Sequence, residues 1–142
     1  MLENRTRTFL LTLAFLATYT EASAVSAEVC IASELTVAAV HGQVVFTYRG
    51  EKKPGANAEV ELKAFRNDEW HTLFKVAADT EGRFAFPEVK PGKYLLEARS
   101  YGYESTGAYV RVARGSSKRK EIIVPLRMPL EGCLYASVRK RV

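Results

Sequence analysis

Residues able to do chemistry are few in this sequence, and their spacing argues against a catalytic centre. The two histidines, His41 and His71, are far apart in the chain, and the two aspartates, Asp68 and Asp79, fall in turn-forming stretches. Nucleophilic or acid–base catalysis needs a base within hydrogen-bond reach of the group it serves. No Gly-x-Ser-x-Gly and no phosphate-binding loop is present. Zinc and calcium would need clustered ligands, and neither His-Glu-x-x-His, Cys-x-x-Cys nor a carboxylate-rich loop occurs. The expectation is a non-enzyme with no catalytic residue, no cofactor and no metal.

Binding chemistry is better represented. Trp70, Tyr101 and Tyr103 are candidate ligand contacts, the two tyrosines flanking Gly102 in a loop; exposed, such rings would serve as platforms for stacking on sugars. Two basic clusters stand apart from them. "ARGSSKRK" holds Arg114, Lys118, Arg119 and Lys120; "VRKRV" holds Arg139, Lys140 and Arg141. Read plainly, they are a solvated loop and tail. Read functionally, they attract anionic polysaccharide, lipopolysaccharide or phospholipid headgroups. No aromatic residue interleaves with either cluster, so a single-stranded nucleic acid lacks its stacking platform. The formal charge of +5 on 142 residues is modest, and no nucleic-acid partner is expected.

The chain's beginning gives a destination. Arg5 and Arg7 precede the thirteen-residue apolar run "TFLLTLAFLATYT", and "EASAVSA" then supplies small residues. That order is a secretory signal peptide, 1–27, cleaved after Ala27 or, second choice, Ala24. The run falls short of the roughly twenty residues that span a bilayer. No later segment is apolar enough to cross, and no transmembrane segment is expected. Nor does Cys30 follow the small residue that lipoprotein processing requires; "AEV" precedes it. The protein is expected to be secreted or periplasmic. In an oxidising compartment two cysteines, Cys30 and Cys133, are expected to form one disulfide between the ends of the mature chain. Two buried free thiols are the alternative.

The elements that must position these groups are strands. "NAEVELKAF" alternates Ala58, Val60, Leu62 and Ala64 against Glu59, Glu61 and Lys63, a half-buried strand. The same period places Val44, Phe46 and Tyr48 on one face, Trp70, Thr72, Phe74 and Val76 on another, with His71 outward. It continues through Tyr94, Leu96 and Ala98, then Ala108, Val110 and Val112, then Ile122, Val124, Leu126 and Met128. Pro125 inside its strand predicts an edge or a bulge. "GEKKPGAN", "DTEG", "VKPGK", "YGYES" and "ARGSSKRK" read as the turns between. Phe84, Phe86 and Tyr94 sit at strand spacing just past turns, where core roles are expected.

These motifs resemble a known family. Gly42 and Val44; Pro54, Gly55, Ala56 and Leu62; Asp79, Gly82, Phe84 and Phe86; and Pro91, Gly92, Tyr94 and Leu96 are similar to the carboxypeptidase regulatory-like domain over about residues 42–128. Two extra residues after Ala56, and Ala78 in place of a threonine, depart from its pattern. The resemblance implies an all-β, transthyretin-like (prealbumin-like) Greek-key sandwich of about seven to eight strands over residues 28–138, followed by a basic tail, 139–142. It is unspecific for function. Hydroxyisourate hydrolases, which share the fold, use paired histidines and a different C-terminus; this chain ends "SVRKRV". Cna B-type domains close an isopeptide bond on Asn or Asp near the end, and residues 120–139 contain neither. What remains is an interaction or structural module with a protein, cell-envelope or polysaccharide partner, or alternatively a carbohydrate-binding module using exposed aromatics.

Overall fold

A computed structural model describes residues 29–129 and 131–141. The signal-peptide reading of residues 1–27 and its cleavage sites lie outside them. The described chain contains ten strands: β1 (Cys30–Val37), β2 (His41–Tyr48), β3 (Glu51–Pro54), β4 (Glu59–Arg66), β5 (Glu69–Ala77), β6 (Arg83–Ala85), β7 (Gly92–Arg99), β8 (Thr106–Val112), β9 (Lys120–Arg127) and β10 (Ser137–Lys140). They form two sheets. The first runs β1-β8-β7-β4-β5; the second runs β10-β9-β2-β3, with β6 pairing the first half of β2. Two pairings are parallel, β1 with β8 and β2 with β9. Both join segments distant in sequence.

The inward faces follow the alternation. Val60 and Leu62 from β4, Leu96 and Ala98 from β7, and Ala108 and Val110 from β8 meet Val44, Ile122, Val124 and Leu126 of the second sheet, all essentially without solvent contact. Burying one such aliphatic side chain contributes about 1.5–3 kcal/mol. Phe84, Phe86 and Tyr94 pack at the margin of this core, and Phe84 and Phe86 lie with ring centroids 6.0 Å apart. Asp79 builds the turn before them: its side chain accepts from the amides of Glu81 and Arg83, at 2.9 and 2.8 Å. Gly82 follows at φ 75° with its α-carbon so close to β2 that an added Cβ would lie 2.3 Å from the Val44 carbonyl oxygen. Only glycine satisfies both conditions. The Gly-x-aromatic stretch is framework.

The structure differs from the sequence reading in four places. The described residues hold ten strands, with β1 and β3 among those the sequence pattern does not announce. β3 pairs with β2 although all four of its residues are exposed and carry no apolar alternation, and the two-residue turn at Arg49 and Gly50, both at positive φ, folds it back. Arg139 and Lys140, read as tail, belong to β10. Pro125 lies on a strand with neighbours on both sides, yet β10 reaches only as far as Ile123. At Pro125 that side is open, and its carbonyl accepts from Thr106 Oγ1 at 2.6 Å. The fourth difference concerns β5. Its register against β4 slips between Leu62 and Lys63, so Leu73 is an extra residue and the alternation inverts. Phe74 and Val76 stay inward; Trp70 is carried to the outer face beside Phe65, its cross-strand partner.

Cys30 and Cys133 form a disulfide, with Cα atoms 5.6 Å apart. Cys133 lies in the coil before β10 rather than in the strand itself. Beside the bridge, Arg127 is buried; it ion-pairs with Glu104 and sits 3.4 Å from Cys30 Sγ.

Candidate functional site

The three aromatic residues singled out in the sequence are not brought together. Tyr101 is fully exposed in the loop after β7. Tyr103 stacks on Phe46, centroids 4.2 Å apart and planes 12° from parallel, which engages one face of its ring. Trp70 is at the opposite end of the first sheet: Arg99, just before the tyrosine loop, pairs with Glu59, whereas Trp70 pairs with Phe65 six residues further along β4. Six strand residues span roughly 20 Å.

Trp70 has other companions. Phe65 from β4 lies 5.2 Å from it between ring centroids, and Tyr109 from β8 lies 6.0 Å away, with planes inclined at 57° and 40°. Phe65 is 55%, Trp70 38% and Tyr109 43% exposed. Leu95, directly opposite Tyr109 on β7, points to the same face yet is buried, which only side chains on that outer face can achieve. The rings and their neighbours enclose a shallow cleft of about 400 Å³, lined also by Glu34 and Lys93. Phe65 and Tyr109 were missed in the sequence, although each occupies the outward phase of its strand, where charged residues otherwise stand.

Charged side chains flank the cleft on both sides. The irregular register of β1 between Ala32 and Leu35 accompanies a Glu34 that accepts from Arg111 Nε at 2.5 Å and lies 3.4 Å from Lys93. The Arg111 hydrogen bond, against some desolvation, lowers the Glu34 pKa and raises that of Arg111. On the other side Glu59, Glu61 and Glu97 interlace with Lys63, Lys75 and Arg99. Hydrogen bonding from Lys75 is the main cause lowering the Glu59 pKa. The cleft is thus an apolar opening in a surface of mutually satisfied charges.

Nothing in this arrangement resembles a reacting centre. His41 is on β2 in the second sheet and His71 on β5 in the first; their rings approach the backbone carbonyls of Lys118 and Arg66. Among the described residues no three His, Cys, Asp or Glu side chains converge as metal ligands would. The family model of the carboxypeptidase regulatory-like domain matches residues 39–125. The chain belongs to that family. A search among curated proteins finds no match. Carboxypeptidase regulatory-like domains are regulatory, non-catalytic modules, and the motif glycines and aromatics of this one hold turns and core together. The matched span takes in Phe65, Trp70 and Tyr109 as well as the turn residues. In this carboxypeptidase regulatory-like domain, then, the framework and the exposed aromatic cleft are built from opposite faces of the same strands.

Proposed function

We propose that this protein is an exported, non-enzymatic interaction module that grips a protein partner through the Phe65–Trp70–Tyr109 cleft. The observation that carries the reading is three large rings standing on the solvent side of a sheet whose charged outward side chains are paired with one another. Clustered exposed aromatics ringed by polar groups mark contact surfaces, and Trp and Tyr dominate the residues that anchor protein interfaces. Export is supported by the basic, apolar and small-residue order of residues 1–27 and by the disulfide. Among the described residues no helix is long and apolar enough to cross a membrane.

Carbohydrate binding is the second reading, favoured by the same exposed rings. A flat sugar face is best met by coplanar rings, whereas these are tilted and form a wedge suited to an inserted side chain. The experiment compares wild type with Phe65→Ala/Trp70→Ala/Tyr109→Ala as bait against proteins of the compartment and against cell-wall glycans. A defined protein held by wild type and released by the variant supports the proposal. Retention of glycan alone, with the same sensitivity, transfers the site to carbohydrate. Equal capture by both baits removes the cleft from function.

A further inference from the structure

The two basic clusters that the sequence separates meet on the outer face of the second sheet. Across β9 and β10, Glu121 pairs with Arg139 on the outward phase, and Lys120 with Lys140 beside it, on the alternate phase at the strand ends. Just beyond, the Arg141 amide donates to the Arg119 carbonyl at 2.8 Å. Two further strands add residues outside either cluster. Gly42 opposite Ile122 sets His41 level with Glu121, and Gln43 pairs with Arg83 of β6. Outward side chains from four neighbouring strands therefore face one trough.

The trough has two lobes. The larger, about 620 Å³, is lined by His41, Asp79, Arg83, Lys118, Arg119 and Arg141 among others. The smaller, about 300 Å³, takes in Gln43, Arg139 and Lys140. Arg83, Glu121 and Arg141 belong to both. Glu121 is the floor. It is buried, accepts from Arg139 Nε at 2.9 Å, and lies 3.3 Å from Arg141 Nε. Its hydrogen bond with Arg139, opposed by burial and helped by the charges of Arg141 and His41, lowers its pKa. One buried carboxylate thus fixes two guanidinium groups that remain more than half exposed to solvent.

The remaining charges leave a positive surplus. Arg83 pairs with Glu81 at 3.1 Å, and the Asp79 carboxylate is engaged by backbone amides. Lys118, Arg119 and Lys140 are exposed and form no ion pair among the described residues. Six basic side chains oppose three acidic ones.

We propose that this trough binds an anionic polysaccharide bearing sulfate or phosphate groups. Guanidinium forks match tetrahedral oxyanions with paired hydrogen bonds. Cations distributed over two connected lobes suit successive charges along a chain better than one isolated anion. The lining offers no exposed aromatic for stacking bases and no large exposed apolar side chain to enter a bilayer; Phe84 contributes to it but is buried. The site is on the other sheet from the aromatic cleft and stands independently of it. Sequence alone left the clusters as either a solvated loop and tail or two separate anion-attracting segments, because their convergence depends on β10 pairing with β9.

The test uses the exported protein and a heparin-derived oligosaccharide, with calorimetry over a series of salt concentrations. Wild type should bind, more weakly as salt rises. Lys118→Ala/Arg119→Ala/Lys140→Ala should lose about tenfold or more in affinity, three exposed contacts compounding. The charge-matched control Lys52→Ala/Lys53→Ala/Arg66→Ala removes exposed cations elsewhere and should bind nearly as wild type. Equal loss in both variants would reduce the trough to net-charge attraction and overturn the proposal. So would absence of wild-type binding, equal affinity for the desulfated oligosaccharide, or binding confined to phosphatidylglycerol vesicles. Because all three substituted side chains of each variant are exposed, matching melting temperatures are the expected control for folding.

Discussion

Phe84 and Tyr109 are both aromatic and both lie on strands; they differ in which way the strand turns them. Phe84 is 5% exposed within the core, and Phe84→Ala should cost about 3–5 kcal/mol in urea unfolding. Tyr109→Ala, on the outer face, should cost under about 1 kcal/mol. A comparable loss at both positions would mean the cleft residues are structural after all. Glu121 contributes in a different way. A carboxylate whose folded pKa is depressed adds stability that is complete above its unfolded value and is lost as pH falls through the folded one. Its ordinary value is 4.5, so the melting temperature should hold from neutrality to about that pH and decline below it. Glu121→Gln should make the decline shallower, although Glu34 and Glu59, also lowered, keep part of it. An unchanged acid profile would show that Arg139 confers no stability through Glu121.

At the scale of elements, strands whose two faces differ chemically were legible. β4 announces itself by placing Val60 and Leu62 against Glu59, Glu61 and Lys63, while β7, β8 and β9 show an apolar residue at every second position of one face. β3 was illegible for the opposite reason: "EKKP" has no apolar face, and its existence depends on backbone pairing alone. The β5 error is more instructive. One surplus residue reverses every side chain beyond it, and no local pattern marks Leu73 as that residue; the reversal is what turns Trp70 from core to surface. Trp70 is the single tryptophan, so its fluorescence reports directly on this register. Acrylamide should quench it readily in the native state. Quenching that appears only after unfolding would mean that β5 follows simple alternation and that the cleft does not exist. The candidate site was half legible: Trp70 was noticed, but its companions come from β4 and β8, and only the strand order shows them as neighbours.

At the scale of the molecule, the Cys30–Cys133 bridge joins the start of the first sheet to the coil that leads into the last strand of the second. It spans 103 positions in the chain, for which the loop-entropy account gives about 4–5 kcal/mol, less any native strain. Cys30→Ser/Cys133→Ser should therefore melt at a markedly lower temperature while keeping its far-ultraviolet strand signal. Mass spectrometry of unreduced wild type should show the loss of about two hydrogens; two freely alkylated thiols in protein prepared under oxidising conditions would contradict the bridge.

The parallel pairings have a consequence for when the protein can fold. β2 is made early, but one of its neighbours, β9, begins at Lys120; β1 waits for β8. Neither sheet can be completed by hairpins alone, and such long-range pairing makes folding slow. A nascent chain of this design leaves β1 without its partner until β8 is made, and leaves β2, already joined to β3 and β6, without its central neighbour until β9 is made. Under the export proposed above, late completion is an advantage: the two sheets close only after β8 and β9 have been made.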